Sequence, residues 1–324
     1  MFKAHFRRLR MLLASRKLFR NWLSAGVKYY LIKGSLLHAD NIEVVCRDGS
    51  KGLIPARAYG VLVNDYYDGY IMNYDCRDGI ATYANNVHVP VEEIRVRSAV
   101  GLAIEGGWAY DMVNRFWFNY GIRFRHMYRS ILEIFGRGEY ASLDVKDKVI
   151  IDIGAYIGDS AIYFALKGAK RVIAVEPHPG AFAEMLENIN LNTMGNMIIP
   201  VNAGLASRSG KVCVENVDNN NTLVTYHGPG VCINAVPAVT LGELISRFGV
   251  DPGNAVLKMD CEGCEFDVIF NDYEHIRMFK ELIFEYHSYI VNKPVDDLLN
   301  MLNRDYKCVL KGNKNLGIVH CIRK

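Results

Sequence analysis

Two cysteines and three acids alternate in the stretch MDCEGCE, residues 259–265. The C-x-x-C spacing of Cys261 and Cys264 is found in metal and redox sites, so this pair has to be considered first. A structural zinc site needs four ligands, usually from a second close pair, and the other six cysteines of the chain are scattered. We therefore expect no metal here and no chemical role for either thiol, and we assign the chemistry to the acids.

Acids and an imidazole also stand at the ends of two apolar runs. Asp260 follows the run AVLK, and the run ELIFEYH closes with Glu285 and His287. If both runs are neighbouring parallel strands, their carboxyl ends meet at one edge of the sheet, where open α/β sheets bind their ligands. We predict a catalytic group at this edge: Asp260, Glu262, Glu285 and His287. Two other interpretations stay open, namely that Glu262 and Glu265 only stabilise a helix start and that His287 is a structural histidine.

A second site is predicted by the stretch IDIGAYIGDS, residues 151–160. Gly154 and Gly158 allow a tight turn after a strand and a close approach of a ligand to the backbone. The helix that follows favours negative groups at its N-terminus. Glu176 ends the next predicted strand, 22 residues after Gly154. A carboxylate at that position can accept hydrogen bonds from both hydroxyls of a ribose.

Two classes of cofactor contain such a ribose. The dinucleotide fingerprint is G-x-G-x-x-G, and the loop G-A-Y-I-G lacks its middle glycine. Asp152, two residues before Gly154, is unfavourable beside a pyrophosphate but favourable beside the cationic amino acid end of S-adenosylmethionine. We therefore predict S-adenosylmethionine as the cofactor and keep a nicotinamide cofactor as the alternative. The predicted cofactor residues are Asp152, Gly154, Tyr156, Gly158, Glu176, Asn202 and Asp260.

The elements that position these residues follow from the apolar periodicity of the chain. From residue 146 onward, helical stretches alternate with apolar runs that predict strands, among them VIIDIG, RVIAVEP, AVLKMD and ELIFEYH. This alternation predicts a doubly wound, mostly parallel α/β sheet with helices on both faces. The last runs, YKCVL and GIVHCI, predict a closing pair with an antiparallel C-terminal strand.

The first 145 residues fall into three segments with different sequence patterns. Residues 1–40 predict a basic helical arm, and residues 41–105 predict a small β-rich module with runs such as LIPARAYGVLV. Residues 106–145, which contain many aromatics, predict a helical lead-in to residues 146–324. That last part is the domain that carries both predicted sites.

Charge is distributed unevenly along the chain. Residues 1–39 carry nine Lys or Arg and no Asp or Glu, whereas the rest carries 29 basic against 35 acidic residues. The arm is either a solvated helical face or a surface that contacts anionic lipid or another polyanion. No run of about 18 apolar residues is present. We expect a cytoplasmic protein, with peripheral membrane contact through residues 1–33 as an open alternative.

Eight scattered cysteines do not predict a disulfide framework in an intracellular chain of this length. The chain contains no Gln, which is typical of thermophilic proteins, whereas its many Asn residues argue against such a source. In a hyperthermophile some of the cysteines could be bridged.

Four blocks of the sequence resemble one family. VIIDIGAYIGDSAIYFALKGA, VEPHP, LKMDCEGCEFDVI and IFEYH are similar to the FkbM-type S-adenosylmethionine-dependent methyltransferases, over about residues 146–290. The most distinctive part is the D-x-E-G-x-E block followed by E-x-H. The resemblance implies a class I, Rossmann-like methyltransferase domain. It also implies O-methylation of a hydroxyl on a sugar, a glycolipid or a related small molecule.

Such a hydroxyl is weakly acidic, so a base must take its proton as the carbon–oxygen bond forms. An unperturbed imidazole titrates near pH 6.5, so we predict His287 as the base and Asp260 as the alternative. Asp260 or Glu285 would orient the imidazole, and Glu262 would hold the acceptor or the ammonium group of the cofactor.

Three other functions are weighed against this one. A nucleic-acid methyltransferase or RNA-binding protein could use the basic arm, but enzymes that methylate base amino groups usually carry an Asn- or Asp-Pro-Pro-aromatic motif where this chain has Met259-Asp260-Cys261-Glu262. An acidic rim also repels phosphates, so we do not expect nucleic acid as a partner. An NAD(P)-dependent oxidoreductase and a non-catalytic scaffold with the same fold are the remaining alternatives.

Overall fold

A computed structural model describes residues 2–94, 99–215, 223–225 and 234–324 of the chain. The chain divides into two compact units, Met1–Gly136 and Arg137–Lys324. In the described part, no helix is both long enough and apolar enough to cross a membrane.

In its described residues, the first unit combines short helices with three small antiparallel sheets, in which the strand orders are β1-β2, β3-β4-β5 and β6-β7-β8. Short 3₁₀ turns and one π-helical turn connect these elements. Its helices and strands are α1 (Phe2–Ser15), α2 (Trp22–Lys33), β1 (Asn41–Val45), β2 (Lys51–Pro55), α3 (Ala56–Tyr67), β3 (Ile71–Asp75), β4 (Ile80–Tyr83), β5 (His88–Pro90), α4 (Val100–Glu105), β6 (Ala109–Asp111), β7 (Phe116–Asn119), β8 (Ile122–Phe124) and α5 (Arg129–Ile131).

The predicted helical lead-in over residues 106–145 is wrong for most of its length. Tyr110, Trp117 and Phe124 lie on β6, β7 and β8, which pair antiparallel. Aromatic side chains favour strands, but these strands are three or four residues long, too short for their alternation to be visible in the sequence. Trp117 and Phe124 are fully buried within this unit. The run LIPARAYGVLV is also not one strand, because β2 ends at Pro55 and α3 follows directly.

The second unit begins with the predicted alternation of strands and helices. Its elements are β9 (Val149–Ile153), α6 (Asp159–Leu166), β10 (Arg171–Val175), α7 (Pro179–Leu191), β11 (Ile198–Val201), β12 (Gly204–Leu205), β13 (Gly210–Glu215), β14 (Leu223–Thr225), β15 (Ala235–Val239), α8 (Leu241–Phe248), β16 (Ala255–Met259), α9 (Cys264–Asn271), α10 (Tyr273–Ile276), β17 (Glu281–His287), α11 (Ser288–Val291), α12 (Val295–Leu302), β18 (Tyr306–Gly312) and β19 (Leu316–Arg323).

The main sheet of this unit has seven strands in the order β11-β10-β9-β16-β17-β19-β18. The first five pair parallel, and β19 lies antiparallel between β17 and β18. All five residues of β16 are buried, as expected for a central strand covered by helices on both faces. The strand order reverses beside β9, so β9 and β16 form the topological switch at which such sheets bind ligands. The predicted Rossmann-like fold with an antiparallel C-terminal strand is confirmed.

The expectation that the cysteines form no disulfide framework is wrong. Disulfide bonds join three pairs in the described part: Cys46–Cys76, Cys261–Cys264 and Cys308–Cys321. Cys213 is also disulfide-bonded. Disulfides persist in oxidising compartments and in intracellular proteins of hyperthermophiles, so a cytoplasmic location would require the second case.

Candidate active site

The carboxyl ends of β9 and β16 meet at the topological switch. The backbone N–H of Asp260, directly after β16, donates a hydrogen bond to the carbonyl oxygen of Ile153 at 2.9 Å. Gly154 follows with a φ of 71°, and a Cβ atom on it would overlap the carbonyl oxygen of Asp260. Only glycine allows the turn after β9 to lie this close to the backbone after β16. The predicted cofactor turn and the predicted catalytic edge are therefore in direct contact.

Glu176 lies at the carboxyl end of β10 and is 3% exposed. Its Oε2 atom accepts a hydrogen bond from the backbone N–H of Tyr156 at 2.8 Å, and its Oε1 atom accepts one from His178 N–H at 2.7 Å. The side chain of Asn202 donates to the Glu176 carbonyl at 2.9 Å. These bonds hold the carboxylate in one orientation beside the turn after β9. His178, which follows this strand end, is buried and caps α7.

A buried ion pair lies directly beneath this turn. The ammonium group of Lys258 lies 2.9 Å from Asp152 Oδ1 and donates a hydrogen bond to the Gly154 carbonyl at 2.9 Å. Ser160 donates to the other oxygen of Asp152 at 2.7 Å. Burial lowers the pKa of Lys258, but Asp152 and Asp260 outweigh it and raise that pKa to about 12. Lys258 therefore stays protonated in the protein interior.

Lys258 is the functional-site residue that the sequence interpretation missed. A lysine within the apolar run AVLKM was the available signal, because lysine is almost never fully buried without a partner. Both oxygens of Asp152 already have partners within the protein. A direct contact between Asp152 and the cofactor stays a prediction, and it would have to form beside the Lys258 ammonium group.

Four carboxylates surround His287 at the carboxyl end of β17, and we call these five residues the acidic cluster: Asp260, Glu262, Glu265, Glu285 and His287. The Nε2 atom of His287 lies 3.9 Å from Asp260, 3.6 Å from Glu262 and 3.5 Å from Glu285. Its Nδ1 atom faces Glu265 Oε1 at 3.5 Å. The structure thus brings together all four predicted catalytic residues.

The profile of the methyltransferase FkbM domain matches residues 152–308, which contain the cofactor turn, Lys258 and the acidic cluster. The chain belongs to the FkbM methyltransferase family. It is therefore an enzyme that transfers a methyl group from S-adenosylmethionine, and a nicotinamide cofactor and a non-catalytic scaffold are set aside.

Two relatives match about half of this chain. Uncharacterized protein 158B of Sulfolobus islandicus rod-shaped virus 1 is 30% identical over 163 residues, which are 50% of this chain and 74% of that protein. Hexuronic acid methyltransferase AglP of Haloferax volcanii is 28% identical over 181 residues, 52% of this chain and 72% of that protein. Among solved structures, Streptococcus mutans SMU.1697c in complex with SAH matches with 10% identity and a TM-score of 0.38, over 59% of this chain and 96% of that chain.

The FkbM domain of this chain has residues that fit S-adenosylmethionine. Glu176 presents a fixed carboxylate at the end of β10, where a ribose would lie, and each oxygen keeps a lone pair besides the one that the backbone uses. Gly154 leaves the space that a side chain would fill. The assignments of Tyr156, Gly158 and Asn202 as cofactor residues stay predictions.

The acidic cluster has an open side and a closed side. The side chains of Asp260, Glu262 and Glu285 are 29%, 31% and 27% exposed. By contrast, the side chains of His287 and Glu265 are 3% and 0% exposed. The three carboxylates on the open side, which we call the rim carboxylates, can contact a second substrate, whereas His287 lies behind them.

The protonation of His287 differs from the expectation. Burial lowers the pKa of His287, but the carboxylates of Glu265, Glu285 and Asp260 outweigh burial and raise it to about 12. Burial raises the pKa of Glu262 to about 7 and also raises the pKa of Glu285. The prediction that His287 acts as the base depended on an unperturbed pKa and on access to the pocket, and the structure provides neither.

The loop MDCEGCE is closed by the disulfide between Cys261 and Cys264. Inside this loop, Glu265 accepts hydrogen bonds from the N–H groups of Cys261 at 2.8 Å and Gly263 at 2.9 Å. Glu265 lies in the first turn of α9, the position of a helix-start carboxylate. The cysteines are not incidental, because their disulfide closes the loop that presents Glu262.

We expect the Asp152→Asn substitution to lower the free energy of unfolding by about 3–5 kcal/mol, because it leaves the buried ammonium of Lys258 without its anion. Urea unfolding followed by circular dichroism measures the change. The double variant Asp152→Asn/Lys258→Met removes both charges and is expected to recover most of the loss. An unfolding free energy of Asp152→Asn equal to that of the wild type would contradict a structural role of the pair.

We expect the affinity for S-adenosylhomocysteine to fall about 10-fold as the pH is lowered from 8 to 6. Burial outweighs the two backbone N–H groups and raises the pKa of Glu176 to about 7, so the carboxylate that accepts the ribose hydroxyls takes up a proton in this range. Titration calorimetry at several pH values measures the change. The Glu176→Gln variant is the control and should bind weakly with a flat profile; the same slope in both proteins would assign the effect to another group.

Proposed function

We propose that this FkbM methyltransferase methylates a hydroxyl group of a sugar, a glycolipid or a related small molecule. The observation that carries the proposal is the position of the rim carboxylates. Asp260, Glu262 and Glu285 are partly exposed at the sheet edge. Asp260 directly contacts the turn that the cofactor is expected to occupy.

Carboxylates at this edge suit an acceptor that is rich in hydroxyl groups. An ionised carboxylate only accepts hydrogen bonds, so it selects donors such as hydroxyls. Hydrogen bonds to charged groups contribute about 1.5–3 kcal/mol each, so two or three of them can orient one sugar ring. The same charges repel a phosphate backbone, which argues against a nucleic-acid acceptor.

The residues of this chain contribute positioning and proton transfer. S-adenosylmethionine supplies an electrophilic methyl group when bound, so the protein has to hold an acceptor oxygen in line with that methyl and exclude water. A rim carboxylate takes the hydroxyl proton as the new carbon–oxygen bond forms. His287 keeps the rim carboxylates together from behind and acts as a positioning residue.

The similarity to AglP supports saccharides as the first acceptors to test, because the name of that protein describes it as a hexuronic acid methyltransferase. Because the identity is 28%, we propose saccharides as a class and not one particular sugar.

We expect transfer of a labelled methyl group to oligosaccharides, with or without hexuronic acid, and none to RNA. Glu285→Gln is expected to lower kcat/KM by about 10- to 100-fold, the worth of one hydrogen bond to a charged group, while the Kd for S-adenosylhomocysteine stays within about twofold. The matched control is Glu274→Gln, which changes a 76% exposed side chain outside the acidic cluster. Methylation of RNA alone, or full activity of Glu285→Gln, would contradict the proposal.

A membrane surface is the partner that we propose for the basic arm. A cavity of about 470 Å³ in the first unit is lined by cations of α1, α2 and α3, namely Arg7, Arg8, Lys33 and Arg57. Arg7 forms an ion pair with Asp68 at 2.7 Å. Four apolar side chains on α1 and α2 are 42–54% exposed: Leu9, Leu13, Leu23 and Val27. The side chains of Phe2 and Phe6 on α1 lie outside the described part.

We expect the protein to sediment with vesicles that contain phosphatidylglycerol at low salt, and not with neutral vesicles. Reversing two charges in Arg8→Glu/Lys33→Glu should weaken the binding at least 10-fold, since each basic residue near an anionic surface contributes about 1 kcal/mol. The control Lys311→Glu/Lys314→Glu makes the same change of net charge at two exposed lysines of the second unit. If both variants sediment equally, or if the wild type does not sediment, the basic arm is only a solvated helical face.

A further inference from the structure

The acidic cluster holds more negative charge than its own residues balance. Four carboxylates surround one imidazole, so even a protonated His287 leaves an excess of negative charge at this edge. The buried cation Lys258 is already paired with Asp152 at 2.9 Å. Like charges held this close in a partly buried site repel strongly unless a cation lies between them.

Three members of the cluster have the arrangement of cation ligands. Asp260, Glu265 and His287 can each offer one ligand atom, and these atoms all lie within 4.8 Å of one another. Metal–ligand distances of about 2.0–2.6 Å place the ligand atoms of one ion at such separations. Glu262 and Glu285 face the open side of the same group, 3.6 Å and 3.5 Å from His287.

An independent observation concerns His287 itself. The residue is 2% exposed, and its Nδ1 atom is a buried polar atom without a hydrogen-bond partner. Glu265 Oε1 lies 3.5 Å from this atom but outside hydrogen-bond geometry. A buried polar atom without a partner is costly, and a cation bound among these carboxylates takes the place of the proton that they otherwise hold on the imidazole. The Oε2 atom of Glu262 is likewise buried without a hydrogen-bond partner.

Glu265 is held in place independently of any ligand. Both of its oxygens accept backbone N–H groups of the disulfide-closed loop, and each keeps a second lone pair. Ligating carboxylates are commonly fixed by such outer hydrogen bonds.

We propose that Asp260, Glu265 and His287 bind one divalent cation, with Glu262 and Glu285 on its open side. Two carboxylates and open coordination positions suit magnesium or manganese, and the imidazole favours manganese of the two.

The role of the cation rests on the proposed O-methylation. An acceptor hydroxyl that occupies an open coordination position is more easily deprotonated. Its oxygen then forms the bond to the methyl carbon while the bond between that carbon and the sulfonium sulfur breaks. The proton passes to a carboxylate on the open side, and the sulfur keeps the electron pair as a neutral thioether.

Manganese binding tests the proposal in the absence of cofactor and acceptor. We expect the full-length protein to bind one equivalent of Mn²⁺ by electron paramagnetic resonance, with electron spin echo modulation from an imidazole ¹⁴N nucleus. Asp260→Asn should lower the affinity at least 10-fold, and His287→Ala should abolish the ¹⁴N modulation. Glu274→Gln is the control and should bind like the wild type. Circular dichroism verifies that each variant is folded, and Asp260→Asn, which changes a partly exposed side chain, remains informative if His287→Ala does not fold.

Two outcomes would overturn the cation site. The first is that the wild type binds Mn²⁺ no more tightly than Asp260→Asn does. The second is that Mn²⁺ binds without modulation from an imidazole nitrogen. The proposed function fails by a different result. If Mn²⁺ binds as expected but no saccharide is methylated, only the acceptor class is wrong. If methylation of a saccharide proceeds unchanged in EDTA and no Mn²⁺ binds, only the cation is wrong.

Discussion

The ion pair between Asp152 and Lys258 is the interaction on which the geometry of the site depends. Asp152 on β9 and Lys258 on β16 are register partners at the topological switch, and both are buried. Burying two charges costs several kcal/mol each, and this cost is offset only if the remaining hydrogen-bond positions are used. Lys258 uses them by donating to the carbonyls of Ile153 and Gly154. The turn that the cofactor is expected to contact is therefore bound from below by the same ammonium group that joins the two strands.

The acidic cluster follows from this junction. Gly154 lies against the backbone of Asp260, so the first acid of the loop MDCEGCE is held at the mouth of the cofactor turn. The loop then has to place three acids around one histidine, although like charges repel. The Cys261–Cys264 disulfide and the two N–H groups bound to Glu265 keep it in that conformation. Rigidity of the covalent loop thus opposes the electrostatic repulsion among the side chains that the loop presents.

The two units differ in how visible their structure is in the sequence. From β9 to β11 and again from α8 to α12, apolar strands alternate with helices. This alternation identifies the sheet because a parallel sheet covered on both faces has strands that are apolar throughout. The aromatic strands β6, β7 and β8 carry no such signal. They span three or four residues each and are separated by turn residues such as Arg115 and Tyr120, which have φ angles of 57° and 45°. These strands are stabilised by pairing with one another and not by a strand preference visible within each short segment.

The sequence by itself determined the parallel sheet, the family, and the set of acids and imidazole at the carboxyl edge, because strand ends and residue spacing are local properties of the chain. The tertiary structure decided the partners and the pKa of each group. The ammonium group of Lys258 reaches Asp152 only when β16 lies beside β9. The pKa of His287 rises only when carboxylates from the loop after β16 and from β17 surround it. Which cysteines pair depends on distances across turns and strands, and such distances are set by the fold as a whole.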